Sequence, residues 1–269
     1  MYKLVALDMD GTLLNSNGEI SPRTQDAIAK ARSMGVHVVL ASGRPLEGMT
    51  KALGDLNMTS DEDYVLSYNA SMVQRVASQT VIRSQILKGS DAKNIASLSR
   101  DLGVHVHAFS RRFGLITPEN NDFTRHEAKI NGLTITELDF AELDNNEDIM
   151  KVMMIDEPDR LSAAIAQLPS MLHEQYTIVQ SAPFFLEFLN PKSNKGAGVG
   201  MLAEHLGIDA SEVICMGDAG NDKHMLEYAG LGVAMANATD DIKAIADHIT
   251  DSNNHDGVAK VIEAFILNR

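Results

Sequence analysis

The chain has 269 residues, 44% of them apolar and 22% charged, which is room for one large domain or two modest ones and ample material for a buried core. Its formal net charge of −14, from 23 basic and 37 acidic side chains, argues against a nucleic-acid or acidic-membrane partner. The single cysteine, Cys215, excludes an internal disulfide; Asp8 interrupts the first apolar run before the length of a signal peptide's apolar region, and no apolar stretch approaches the ~20 residues a membrane span needs, so a cytoplasmic residence is expected.

In chain order, Leu4-Val5-Ala6-Leu7 reads as a buried parallel strand. Ser21-Pro22 is the cap and first residue of a helix that stops at Gly35. Val36 to Ala41 is a second strand, after which Pro45 can open the next helix, and Tyr64 to Ser67 is a third strand. Strand–helix alternation with continuous apolar strands implies parallel pairing through right-handed crossovers. From about Val81 the pattern changes. Helices are expected at Asp91 to Leu102, near Phe123 to Lys129 and around Leu161 to Leu168. Strands are expected at Val104 to Phe109, Leu115 to Thr117, Lys151 to Ile155, Tyr176 to Gln180 and Phe185 to Leu189. Here strands outnumber helices and several connections look antiparallel, as in an α+β insertion with its own small core. Alternation then resumes. Asn194 caps a helix with Val199, Leu202, Ala203 and Leu206 on one face. Val213 to Met216 is a strand, Asn221 opens a helix to Gly230, Gly232 to Ala236 is a strand, and Val258 to Phe265 lies on the last helix. The expected fold is α/β: a Rossmann-like parallel-sheet core from residues 1–81 and 190–269, with an inserted α+β cap over 82–189.

Four short motifs share one address, the carboxyl end of a strand or the start of the next helix. They are Asp8-x-Asp10-x-Thr12, Ser42-Gly43-Arg44, Asn194-Lys195-Gly196 and Gly217-Asp218-x-x-Asn221-Asp222. Open α/β sheets bind ligands at that edge. Taken singly each has an ordinary reading: an acidic loop, a helix cap, a solvated lysine. Together they form a device. Asp8, Asp10 and Asp218 offer hard oxygen ligands suited to Mg²⁺. Ser42, the backbone N–H groups of Met9 and Gly43, Lys195 and Asn221 offer donors for phosphoryl oxygens. A cation and Lys195 would offset the repulsion between a carboxylate nucleophile and a phosphate dianion.

This order of motifs resembles the haloacid dehalogenase-like superfamily, in particular its Cof-type phosphatases, and the resemblance spans the whole chain. It implies that Asp8 is a nucleophile forming an aspartyl-phosphate, and that Asp10 protonates the leaving alcohol and then activates water. It further implies that Asp10 meets the metal through its backbone carbonyl, that Asp218 is a carboxylate ligand of Mg²⁺, and that Asp222, Thr12 and Arg44 support these groups. One departure stands out. The third strand ends Tyr68-Asn69-Ala70-Ser71, where relatives commonly carry glycine after the asparagine; if a positive φ is required there, Ala70 is strained.

The expected activity is Mg²⁺-dependent hydrolysis of a small phosphorylated metabolite, a sugar phosphate above all, by a monomer or homodimer with no nucleic-acid or membrane partner. A phosphomutase or phosphotransferase using the same aspartyl-phosphate, and a phospho-accepting signalling module, are the alternatives. His105, His107, Arg111, Arg112, Arg125, His126 and Lys129 make the insertion locally basic. They read either as a solvated face or as a patch for a phosphate or carboxylate.

Overall fold

The computed structural model, which describes residues 1–268, begins with β1 (Leu4–Leu7), four apolar residues without solvent contact. α1 (Pro22–Ser33) follows, its first turn closed by Ser21, whose hydroxyl accepts from the Thr24 N–H. β2 (His37–Ala41) comes next. Pro45 opens no regular helix; the chain makes a short turn at Glu47–Met49 before α2 (Thr50–Asp55), which spans little more than one turn. β3 (Tyr64–Ser67) is parallel to β2, and β4 (Met72–Arg75) and β5 (Val81–Ser84) then fold back antiparallel.

Next come β6 (Leu87–Lys88), α3 (Gly89–Asp101), β7 (His105–Ser110), β8 (Gly114–Thr117), α4 (Asp122–Asn131) and β9 (Ile135–Glu137). After them run β10 (Asp148–Ile155), α5 (Pro158–Ile165), α6 (Leu172–Gln175), β11 (Thr177–Ala182) and β12 (Phe185–Leu189). The chain continues through α7 (Lys195–Leu206), β13 (Val213–Gly217), α8 (Lys223–Tyr228), β14 (Leu231–Ala234), α9 (Asp240–Ile245), β15 (His248–Ile249) and α10 (Gly257–Ile262).

Contacts divide the chain into two compact units, Met1–Ser84 with the chain from Asn194 onward, and Gln85–Ser193. The first holds an eight-stranded sheet in the order β15-β14-β13-β1-β2-β3-β4-β5, parallel from β15 to β3. Alternation along β1 sends Val5 and Leu7 into one apolar layer with α1 and α10, and Leu4 and Ala6 into the other with α7 and α8. A sheet covered on both faces leaves its strand ends as the place for polar chemistry. Because β1, β2, β3 and β13 run the same way, Asp8, Ser42, Tyr68 and Asp218 all leave from one edge.

The second unit carries the order β11-β12-β10-β7-β8-β9, with β6 also paired to β10. One face packs Val106, Ala108, Val152, Met154 and Phe188 against α3 and α5. The opposite face of the same strands sets buried polar groups among apolar ones such as Phe109, Met153 and Leu189. There Lys151 Nζ lies 3.2 Å from Glu187, 3.8 Å from Glu127 and 4.9 Å from the centre of the Phe109 ring. His107 does not belong to a basic surface. It is enclosed between Thr124 and Met153, and burial, helped by Lys151, lowers its pKa to about 3, so it stays neutral. Of the other basic side chains named above, Arg111 faces Asp148 at 3.7 Å, Arg125 bonds Asp122 at 2.5 Å and His105 bonds Asp156 at 2.9 Å, while Arg112 lies over the Phe113 ring.

Candidate active site

The β1 strand ends where Asp8 donates its backbone N–H to Met216 O of β13 at 3.0 Å, which fixes its carboxylate at the strand end. Met9 turns inward and packs in the apolar layer with Leu13 and Leu14, so only its backbone can take part in chemistry. Lys195 is the first residue of α7, placed there because Asn194 caps the helix through a 2.8 Å bond from the Ala197 N–H. Its ammonium has no solvent exposure and bonds both Asp8 Oδ1 and, at 2.7 Å, Asp222 Oδ1.

Burial and the charge of Asp222 push the Asp8 pKa well above the usual carboxylate value, against the pull of Lys195. For Lys195 burial alone would lower the pKa, but Asp222 and Asp8 outweigh it and hold the ammonium protonated. Burial also raises Asp218, which accepts from Thr12 Oγ1 at 2.8 Å. Thr12 therefore holds Asp218 directly.

Carboxylate oxygens of Asp8, Asp218 and Asp222 lie within 4.8 Å of one another. An all-oxygen, anionic donor set of this kind fits Mg²⁺. Within it, Asp222 is already committed: its second oxygen accepts from the N–H groups of Asp218 at 2.9 Å and Ala219 at 3.1 Å. It braces the loop and the lysine, leaving Asp8 and Asp218 as the carboxylates that could hold a metal. Asp10 stands apart. Its side chain is 59% exposed and both its oxygens accept from the Arg44 guanidinium, at 2.9 and 2.6 Å. That bidentate contact leaves the backbone carbonyl as the route by which Asp10 could meet a metal.

Ser42 is buried at the end of β2; its N–H donates to Leu66 O at 2.9 Å and its hydroxyl accepts from the Arg44 N–H at 3.2 Å. Asn221 Nδ2 donates to Asn69 Oδ1 at 3.2 Å. Asn69 thus joins the cluster, although it lies outside the four motifs; its signal in the sequence was an asparagine two residues beyond the third parallel strand, in a segment where relatives commonly carry glycine next. The four motif groups and Asn69 all come from the first unit.

A family model described as haloacid dehalogenase-like hydrolase matches residues 5–262. The chain is 42% identical to YxeH of Bacillus subtilis over 272 residues, covering 99% of both proteins. It is 31% identical over 266 residues to the 5-amino-6-(5-phospho-D-ribitylamino)uracil phosphatase YcsE of Bacillus subtilis, covering 98% of this chain and 96% of that protein. The crystal structure of a haloacid dehalogenase-like hydrolase from Bacteroides thetaiotaomicron superposes with a TM-score of 0.88 at 31% identity, over 99% of this chain and 100% of that one. With its motifs gathered at one sheet edge and its whole length matched, the chain belongs to the haloacid dehalogenase-like hydrolases and is an enzyme of that family.

Proposed function

We propose that the protein is a Mg²⁺-dependent phosphatase of small phosphorylated metabolites, with phosphosugars and related polyol phosphates as the class of substrate. The observation that carries this reading is the buried Asp8–Lys195–Asp222 array beside Asp218, a carboxylate nucleophile held next to a fixed cation at the parallel edge. A relative named for a phosphoribityl substrate supports the substrate class.

In the first half-reaction a carboxylate oxygen of Asp8 attacks phosphorus, the bond from phosphorus to the ester oxygen breaks, and the departing oxygen takes a proton from Asp10. In the second, Asp10 accepts a proton from water, whose oxygen attacks the aspartyl-phosphate and releases inorganic phosphate with the Asp8 carboxylate restored. Lys195, Ser42, Asn221 and the N–H groups of Met9 and Gly43 hold the phosphoryl oxygens through transfer. Asp8, Asp218 and the Asp10 carbonyl would hold Mg²⁺, whose charge would offset the repulsion between the two anions. For Asp10 to exchange a proton, one of its oxygens must be released by Arg44. The inserted unit, Gln85–Ser193, distinguishes one ester from another.

The test is a screen of phosphate esters with Mg²⁺ and with EDTA. Turnover that requires Mg²⁺, and that Asp8→Asn reduces to background without unfolding the protein, is the expected result. Full activity in metal-free buffer, or an active Asp8→Asn variant, would overturn the reading.

A further inference from the structure

Three consecutive non-glycine residues after β3 have left-handed backbones: Tyr68 at φ 54°, Asn69 at 53° and Ala70 at 66°. Asparagine tolerates this conformation and the other two do not, so the segment persists only because its surroundings dictate it. Those surroundings are the motif segments. The Tyr68 N–H donates to Arg44 O at 3.0 Å and the Asn69 N–H to Ser42 O at 2.8 Å, which clamps the Ser42–Arg44 loop from both ends. The Ala70 methyl fills a notch on α7: a Cβ on Gly198 would lie 2.2 Å from it. Gly198 is three residues beyond Lys195, so the notch fixes the helix that delivers the buried ammonium. The Asn69 side chain, 4% exposed as a residue, takes one N–H of Asn221 on its Oδ1. The amide nitrogen of Asn221 carries two hydrogens, so this bond sets its rotamer and leaves the other for an acceptor.

We infer that the connection Tyr68–Ser71 is a positioning device that holds the Ser42 loop, the Lys195 helix and Asn221 in mutual register, with Asn69 the positioning residue for Asn221. The inference rests on the phosphatase reading for its consequence in catalysis, though not for its geometry. It accounts for the strain: a left-handed run lets two backbone N–H groups reach the Ser42 loop while the next side chains meet Asn221 and α7. Alanine at position 70, in place of a residue free of strain there, adds the methyl that meets Gly198.

The test uses Asn69→Gly, which removes the side chain and accepts the positive φ without strain, beside Asn221→Ala and the double variant. Kinetics with an aryl phosphate are read together with the ¹⁵N-resolved side-chain amide signal of Asn221 in the unliganded enzyme. Asn69→Gly is expected to lower kcat/KM by about ten- to a hundredfold, to shift the Asn221 signal, and to add less than about threefold to the loss in Asn221→Ala. Asn69→Asp, which keeps the acceptor and its shape, is expected to hold the Asn221 signal at its wild-type position, and Asn69→Ala, which also removes the acceptor, serves in place of the glycine variant if that one fails to fold. Unchanged kinetics in Asn69→Gly, losses that multiply in the double variant, or an unmoved Asn221 signal would overturn the positioning role while leaving the phosphatase reading intact. A wild-type enzyme inert toward every phosphate ester would overturn the phosphatase reading and the catalytic consequence with it.

Discussion

At the scale of single residues, the site is dominated by charge buried in pairs. Lys195 sits fully buried between Asp8 and Asp222. Removing one partner of such an array leaves uncompensated charge in the interior, at about 3–5 kcal/mol. Lys195→Met should therefore destabilise the fold as well as abolish turnover, and the stability loss should depend on pH. Asp8 is already raised by burial and by Asp222, and loss of Lys195 removes what lowers it. The folded variant then binds a proton that the unfolded chain, with its aspartate near 3.8, has lost. Its stability is fully present below that value and lost as pH rises through the higher folded value. Thermal unfolding should accordingly show the variant more stable at about pH 5 than at about pH 8, with a smaller difference in the wild type; equal midpoints would mean that Asp8 does not carry the unpaired charge. Asp10 is a different case, exposed and held by Arg44. Asp10→Asn should slow hydrolysis of an alkyl phosphate by roughly 10²–10⁴-fold, and single-turnover transfer from an aryl phosphate far less, because a phenolate leaves without a proton. Equal losses on the two esters would remove the acid role from Asp10.

At the scale of elements, the turn after β1 sets where Asp218 can be. Gly11 has φ +85°, and a Cβ there would lie 2.3 Å from Asp218 Oδ2. Gly11→Ala should push Asp218 off Thr12 and raise the Mg²⁺ concentration for half-maximal activity by about tenfold or more, the scale on which loss of a ligand's support is felt. An unchanged Mg²⁺ dependence would place the metal elsewhere. The same turn is tied from outside: Asn237 Nδ2 donates to Gly11 O and Asn253 Nδ2 to Leu14 O, both at 2.8 Å. Such links join residues more than two hundred positions apart, and nothing in a local pattern marks them. What was legible were strands with unbroken apolar runs, such as β1 and β13, helices with caps, such as α1 and α7, and the four motifs, whose chemistry is visible as residue type. β9 and β15, three and two residues long, are below the length at which period can be read. β4 carries Gln74 and Arg75, and it is a strand because β3 pairs with it, a tertiary cause. The Arg44–Asp10 fork and the Asn69–Asn221 bond escaped for the same reason, since both depend on how separate loops converge.

At the scale of the whole molecule, two units with separate apolar cores share one chain, the second inserted within the first. Each core has its own buried lysine set among carboxylates: Lys195 in the first unit, Lys151 in the second. A unit with its own core can open by itself, provided that the free energy of closing the resulting loop is met, and that cost grows only slowly with loop length. Lys151 is a probe of this because it lies far in sequence from the motifs and deep inside the inserted unit. Lys151→Met keeps most of the apolar stem but leaves Glu127 and Glu187 without their cation, at about 3–5 kcal/mol. Calorimetry should then resolve an early transition for the inserted unit, several degrees below that of the wild type, while the transition of the unit that carries Asp8 and Lys195 stays in place. Below the early transition the variant should hydrolyse an aryl phosphate, which asks little beyond the phosphoryl site, at close to the wild-type kcat. A larger substrate that needs the inserted unit should show a raised KM as the temperature approaches the early midpoint. A single transition, shifted as one, would mean that the units unfold together, and that the division seen in the contacts carries no independent stability.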